Sequence, residues 1–473
     1  MPAGAPRGIG TGESSRSCGA LRAPCGATLY LTCVCLPLLS IAAMAQVTLN
    51  VVLTNGPASN RFNIAILSEG YTDGQLADFR SHASNAVNTL LSRAPFSEYR
   101  NYFNAHSISV PSNQSGSDHP GSGIYRDTYF NTTYDNVSDR VISFPTNAMG
   151  QGKVDALLQQ FLPQSDLAVV LVNDTISGGS DGSAKTAIAS IGFLAGEYLV
   201  HEIGHVMAGL GDEYETLYPG YPAIEEPNTT RETNRNSIKW KAWISADTPV
   251  PTPETSAYAG VVGLFEGAHY NPTGWFRPRL DCAMRSSFAP FCEVCREALV
   301  LALYERVRPI DGWLPADLVQ GGPDQAPANF SVAVQQPVSH PLTVQWLTNG
   351  VEVPGATATS FTIMPSALGH GARSVTARVS DNTSLVRNDP AAVLTQTVTW
   401  TELRLLSPTV LAGDRFAFRV TGNAGRLVAI QASPDLVNWS SLVTNVFGPA
   451  NDWFTNSTTG SSRRYYRAVT PPK

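Results

Sequence analysis

The sequence predicts an α/β (α+β) domain followed by two all-β, sandwich-like modules, and three observations carry that expectation. Before about residue 318, apolar runs of strand length alternate with segments of helical periodicity. One helical segment, 195–210, holds His201-Glu202-Ile203-Gly204-His205. Beyond 318 the helical periodicity stops, and short β-type runs separated by Pro, Gly, Asn and Ser take over. A chain of 473 residues, 43% of them hydrophobic, is long enough for two or three domains that each bury a core.

Phe62-Asn63-Ile64-Ala65-Ile66-Leu67 reads as a buried strand, and Ser68-Glu69-Gly70-Tyr71 as the turn that leaves it. Leu76, Phe79, Ala83, Ala86, Val87 and Leu90 recur at helical spacing, with Thr72 or Asp73 as N-cap. A short helix is expected over 154–161. The run Leu167-Ala168-Val169-Val170-Leu171-Val172 is apolar at every position, as in an interior strand covered on both faces. The Gly-, Ser- and Asp-rich stretch 173–183 reads as loop, and 186–191 as an edge strand ahead of the helix over 195–210. In the first β module, 330–334, 342–347, 361–363 and 374–379 alternate like sandwich strands, with Trp346 in the core. A second module from about 401 uses 416–420, 427–431 and 465–469. Neither module holds a cysteine pair, so adhesion, spacing or stability is their expected role.

Residues 1–45 read as an export signal. Arg7, Arg16 and Arg22 precede an apolar stretch over 27–42 that ends in the small-x-small sequence Ala43-Met44-Ala45. A membrane anchor needs roughly 20 uninterrupted apolar residues, and Thr32, Pro37 and Ser40 break this run. The long polar lead before the apolar stretch is consistent with a later translation start. The expected protein is secreted, extracellular or periplasmic, without a membrane span after signal removal. Its formal charge of -6 and the lack of any Lys/Arg run exclude nucleic acid as a partner. Removal of the signal leaves three cysteines, Cys282, Cys292 and Cys295. In an oxidising compartment an odd number predicts one disulfide and one free thiol, or else a reduced buried cluster.

Two histidines four residues apart on a helix share one face, so both imidazoles can reach a single zinc ion at about 2.1 Å. Glu202 then lies beside the water on that ion, placed to take its proton and pass it to a leaving amine. By chance a His-Glu-x-x-His arises in roughly one in two hundred chains of this length. The apolar flanks Leu199, Val200, Ile203, Val206 and Met207 argue against a surface helix without metal, because unliganded imidazoles are costly there. A third ligand is needed. On a continued helix Asp212 would sit roughly 10 Å further along the axis, but Gly209 and Gly211 can end the helix and turn the chain back. Asp212 is the first carboxylate after that turn, and Glu213 is its rival as ligand or a second-shell acceptor. The bland reading of both is an exposed acidic loop.

The stretch from His201 through Gly209 to Asp212-Glu213-Tyr214 resembles the signature of the bacterial IgA-peptidase family, the sixty-fourth metallopeptidase family, of metzincin-like zinc enzymes. The likeness covers roughly residues 61–310. It includes the run from Phe62 to Tyr71, Pro95-Phe-Ser-Glu-Tyr99, Val110-Pro-Ser112 with Ser115-Gly116 and His119-Pro120, and Phe265-Glu-Gly-Ala268. It also takes in Arg277-Pro278, Cys282-Ala-Met-Arg285 and Phe291-Cys-Glu-Val-Cys295. The resemblance implies a metzincin-like catalytic domain over 46–317 with one catalytic zinc ion, and the β-type runs beyond it are expected to form an Ig-like module over 318–400 and a terminal β module over 401–473.

It further implies that Cys282-Ala283-Met284-Arg285 is the methionine turn that floors the zinc ligands, with an ordinary core Met as the bland reading of Met284. A disulfide from Cys282 to Cys292 or Cys295 would tie this turn to a helix starting near Glu297. Cys292-x-x-Cys295 as a redox pair or second zinc site finds no further Cys or His partner nearby in sequence. Tyr270 and His269 are candidates to stabilise an oxyanion, or simply cleft walls. Ser68, Glu69, Gly178 and Gly179 are candidates to border the cleft without an assigned chemistry.

Two departures bear on substrate. Longer relatives carry an additional β domain ahead of the catalytic unit, and the spacer to the third ligand is longer than the general metzincin consensus. The residues specify no immunoglobulin. The leading expectation is therefore a secreted, monomeric zinc endopeptidase acting on proteins or peptides. The rivals are a surface adhesion protein with a structural or inactive zinc site, and a zinc hydrolase of non-peptide amides.

Overall fold

The computed structural model describes residues 47–134, 140–183, 185–320, 326–371, 373–421, 427–446, 452–460 and 463–470. The expected export signal and Cys18, Cys25, Cys33 and Cys35 lie outside the described residues. No described helix is long and apolar enough to cross a membrane.

The structure is mixed α/β. Strands β1 (Thr48–Leu53), β2 (Phe62–Glu69), β3 (Phe103–Ser109), β4 (Leu167–Val172), β5 (Gly179–Ser183) and β6 (Thr186–Ser190) form a six-stranded sheet in the order β1-β3-β2-β4-β6-β5. β2, β3, β4 and β6 run parallel, while β1 and β5 pair antiparallel at the two edges. Alternating residues of the uniformly apolar strands divide between two cores. Ile64, Ile66, Val169 and Leu171 face helices α1 (Leu76–Leu90), α3 (Ala195–Ala208) and α4 (Glu293–Arg306). Ala65, Leu67, Val170 and Val172 face α2 (Gln151–Phe161), with Val154 and Leu157. Burying one such Leu, Ile or Val contributes about 1.5–3 kcal/mol, which is why continuous apolar runs settle between two helical layers.

α1 buries Leu76, Phe79, Ala83, Val87 and Leu90, and the turn before it is closed by a capping box between Thr72 and Gln75. The expected loop over 173–183 is corrected in part: Gly179–Ser183 is a strand, and 186–190 is interior rather than an edge. Gly, Ser and Asp have little intrinsic preference for strand, so the ladder offered by β6 and the bridge from Val141 to Gly179 order them. α4 begins four residues earlier than the expected Glu297, with Cys292 at its N-cap.

Two further strands, β7 (Phe265–Ala268) and β8 (Asn271–Arg277), form a hairpin. Beyond α4, β9 (Ile310–Leu314) pairs with β11 (Ala328–Val334), which pairs with β14 (Ser360–Ile363). β10 (Val319–Gln320), β16 (Thr395–Glu402), β15 (Ser374–Ser380), β12 (Thr343–Thr348) and β13 (Val351–Glu352) form a five-stranded sheet in that order. The two sheets share a core around Phe330, Trp346 and Trp400. Because β9 precedes residue 318 yet belongs to this sheet, a cut there would remove one of its strands. The last strands, β17 (Arg404–Leu411) through β18 (Arg415–Thr421), β19 (Leu427–Ser433), β20 (Ser440–Val446), β21 (Asp452–Ser457) and β22 (Tyr465–Val469), make two three-stranded sheets around Phe418, Val420, Val428 and Ile430.

Candidate active site

α3 packs on β5 and β6 and against α1 and α4, which buries Leu199, Val200 and Ile203. One turn apart on this helix, His201 and His205 bring their Nε2 atoms to 3.1 Å. Each ring is fixed from behind: His201 Nδ1–H donates to the carbonyl of Ala283 at 2.8 Å, and His205 Nδ1–H to that of Leu210 at 2.6 Å. With the protons on Nδ1, both Nε2 lone pairs face the same point.

The helix ends at Gly209, whose φ of 60° is left-handed, and the N–H groups of Gly209 and Leu210 close back onto the carbonyls of His205 and Gly204. The helix therefore stops at Ala208 and not at the expected Leu210. The reversal carries Asp212 to the histidines, with Oδ1 3.0 Å from His201 Nε2 and 3.5 Å from His205 Nε2. Oδ1 is buried and receives no hydrogen bond, while Tyr270 O–H donates to Oδ2 at 2.5 Å. Donors about 2.0–2.2 Å from one tetrahedrally coordinated ion stand roughly 3.3–3.5 Å apart, and the triangle of 3.0, 3.1 and 3.5 Å fits such an ion. Electrostatics point the same way. Burial opposes charge on His205, but Asp212 and Glu202 outweigh it and lift the pKa to about 10; His201 is raised by the same balance. Burial likewise opposes charge on Asp212, and the two imidazoles outweigh it and hold its pKa low. Asp212 and Glu202 thus favour positive charge at the two imidazoles.

Met284 lies beneath them. It is fully buried, and a Cβ on Gly204, between the two histidines, would stand 2.8 Å from its Sδ. The turn that carries it is held by the N–H groups of Arg285 and Ser286 on the carbonyl of Cys282. It reaches the site through Ala283 O on His201 and through Met284 O, which accepts from Glu213 N–H at 2.9 Å.

Glu202, His201, His205, Asp212 and Tyr270 line a cleft of about 500 Å³ together with Arg140, Gly179, Ser180, Tyr198, Tyr214, Tyr218 and Tyr221. Of the suggested border residues only Gly179 reaches it. Ser68 is bonded to the backbone of Val110, and Glu69 is buried under hydrogen bonds from Thr128, Phe130 and Thr132. His269 does not line it either: it is 1% exposed, stacked on Trp275, with its ring nitrogens facing Glu226 and the carbonyl of Pro222. Glu213 points elsewhere, into the three cysteines, which are free and buried. Sequence reading missed Arg140, Tyr198, Tyr218 and Tyr221, which come from three separate segments. It also missed Asn228, whose buried amide clamps both backbone groups of Gly211 and donates to Glu213.

Three converging donors on a helix and its return loop, open to a cleft beside a carboxylate, form the class of site suited to metal-assisted hydrolysis. The chain belongs to the IgA Peptidase M64 family, whose family model matches residues 51–258 and 254–303. It is accordingly a peptidase with protein or peptide substrates. No curated protein matches the chain.

Proposed function

We propose that the chain is a secreted zinc-dependent endopeptidase, with zinc held by His201, His205 and Asp212 and Glu202 as general base. The observation that carries this reading is the buried triangle of two Nε2 atoms and one orphaned carboxylate oxygen, with Glu202 on the same helix and in the same cleft. Zinc, when bound, polarises the scissile carbonyl and lowers the pKa of water to about 7. Glu202 takes the proton of the attacking water on a carboxylate oxygen and delivers it to the leaving nitrogen. Tyr270 holds Asp212 through Oδ2, and Met284 supports the histidines from below, as in a metzincin-like site. Activity is assigned to 46–317, with an Ig-like module over 318–400 and a terminal β module over 401–473 as sandwich-like appendages.

A surface-binding protein with a purely structural ion would need neither Glu202 nor the cleft, so that reading is disfavoured. Glu202→Ala should keep its metal, because the ligands are intact, and lose at least about 10²-fold in peptide hydrolysis. Wild-type turnover of a peptide library by the variant would sink the proposal.

A further inference from the structure

Behind the Asp212 loop lies a second group of metal-ligating side chains that peptide hydrolysis does not use. Glu213, Cys282, Cys292 and Cys295 are all buried, and one donor atom from each lies within 4.8 Å of every other. They come from three separate segments: the return loop after α3, the turn that carries Met284, and the start of α4. Cys282 Sγ is 3.6 Å from Cys295 Sγ, which is 3.8 Å from Glu213 Oε1. Around a tetrahedral zinc with sulfur at about 2.3 Å and oxygen at about 2.0–2.2 Å, such edges measure roughly 3.5–3.8 Å.

We propose that these four side chains bind a second, structural zinc ion. An independent observation points to a ligand there: Glu213 is 0% exposed and its Oε2 has no hydrogen-bond partner. A buried carboxylate oxygen left without a partner among thiols is a donor that a cation would satisfy. A disulfide accounts for less, since any one bridge among three cysteines leaves a thiol and the carboxylate side by side, whereas a tetrahedral ion uses all four groups at once. Three thiolates and one carboxylate carry the same formal charge as the four-cysteine set common in structural zinc sites. Cys292 occupies the N-cap position of α4 and Cys295 lies in its first turn, at the positive end of the helix. The N–H of Cys292 faces Cys282 Sγ at 3.3 Å, and Arg285 donates to the carbonyl of Glu213 at 2.9 Å. Sequence spacing hides the site because Glu213 lies about 70 residues before Cys282.

The test is metal content of the full mature chain, purified with mild reductant and without chelator. Two zinc ions per chain are expected, with one retained by the His201→Ala/His205→Ala double variant and released from it by a thiol-directed mercurial. Exchange with cobalt should give sulfur-to-cobalt charge transfer in the near ultraviolet, kept in the double variant and lost in Cys295→Ser. Should Cys295→Ser fail to fold, mercurial release from the double variant decides the matter alone. A folded double variant without zinc and with three titratable thiols would overturn the proposal. So would a single titratable thiol in the denatured, unreduced protein, which would mean a disulfide. Sulfur–cobalt absorption reads the cysteine cluster regardless of whether the chain cleaves peptides, so the two proposals fail separately.

Discussion

Asp212 and Glu213 are neighbours that serve different places: one faces two imidazoles, the other three thiols. Tyr270 bears on the first of them, since its hydroxyl donates to Oδ2 at 2.5 Å and leaves Oδ1 aimed at the histidines. Tyr270→Phe should therefore weaken the first metal by about 10- to 100-fold, as loss of an orienting bond to a ligand commonly does. Asp212→Ala should abolish retention there. Zinc remaining after dialysis against a graded series of chelators measures both. If Tyr270→Phe holds metal as tightly as the parent but hydrolyses peptides poorly, the phenol acts on substrate and not on Asp212.

At the scale of elements, the site depends on how closely the Met284 turn approaches α3. Gly204 allows it, because any side chain there would press on Met284 Sδ at 2.8 Å and Phe291 at 3.2 Å. Gly204→Ala adds a residue with better helix propensity, yet overpacking should dominate and cost about 1–3 kcal/mol. A urea titration of the variant would show it, and an unchanged or raised midpoint would mean that the turn can move away freely. The β7–β8 hairpin is the second device. His269 and Tyr270 form its two-residue turn with φ of 55° and 56°, a left-handed pair unusual for bulky side chains. Their N–H groups donate to the carbonyls of Asp212 and Tyr214 at 2.9 Å, so the return loop holds the turn that holds Tyr270.

At the scale of the molecule, the six-stranded sheet is pinned to the β-rich region through buried polar contacts. Tyr99 and Tyr304 donate to Asp381 at 2.8 and 2.6 Å, and Arg61 grips both oxygens of Asp311 on β9 at 2.7 Å. Burial disfavours ionised Asp311, but Arg61 and Asn60 outweigh it and keep its pKa below the ordinary 3.8. A lowered folded-state value means stability that is present above the unfolded pKa and lost as pH falls through the folded one. Asp311→Asn should thus lower the urea midpoint at neutral pH, and the gap from the parent should narrow as the pH falls below the ordinary 3.8. A gap independent of pH would show that Arg61 contributes packing alone.

What the sequence determined by itself was whatever is local. The continuous apolar strands, the periodic face of α1 and the His201-Glu202-His205 spacing all follow from neighbours within one or two turns, where side-chain direction repeats by rule. The ends of elements were less legible: 179–183 lacks strand propensity and is ordered by pairing with β6 and by the bridge to Val141, and α4 starts at Glu293 with Cys292 at its N-cap. The rest was decided by tertiary structure alone. Which carboxylate faces the histidines depends on how Gly209 and Asn228 turn the return loop. The removal of His269 from the cleft depends on stacking against Trp275, and the meeting of Glu213 with three cysteines depends on packing segments roughly 70 residues apart. Contacts of that kind are chosen by burial and by the pairing of buried polar atoms, which compete across the whole fold and leave no periodic trace in the chain.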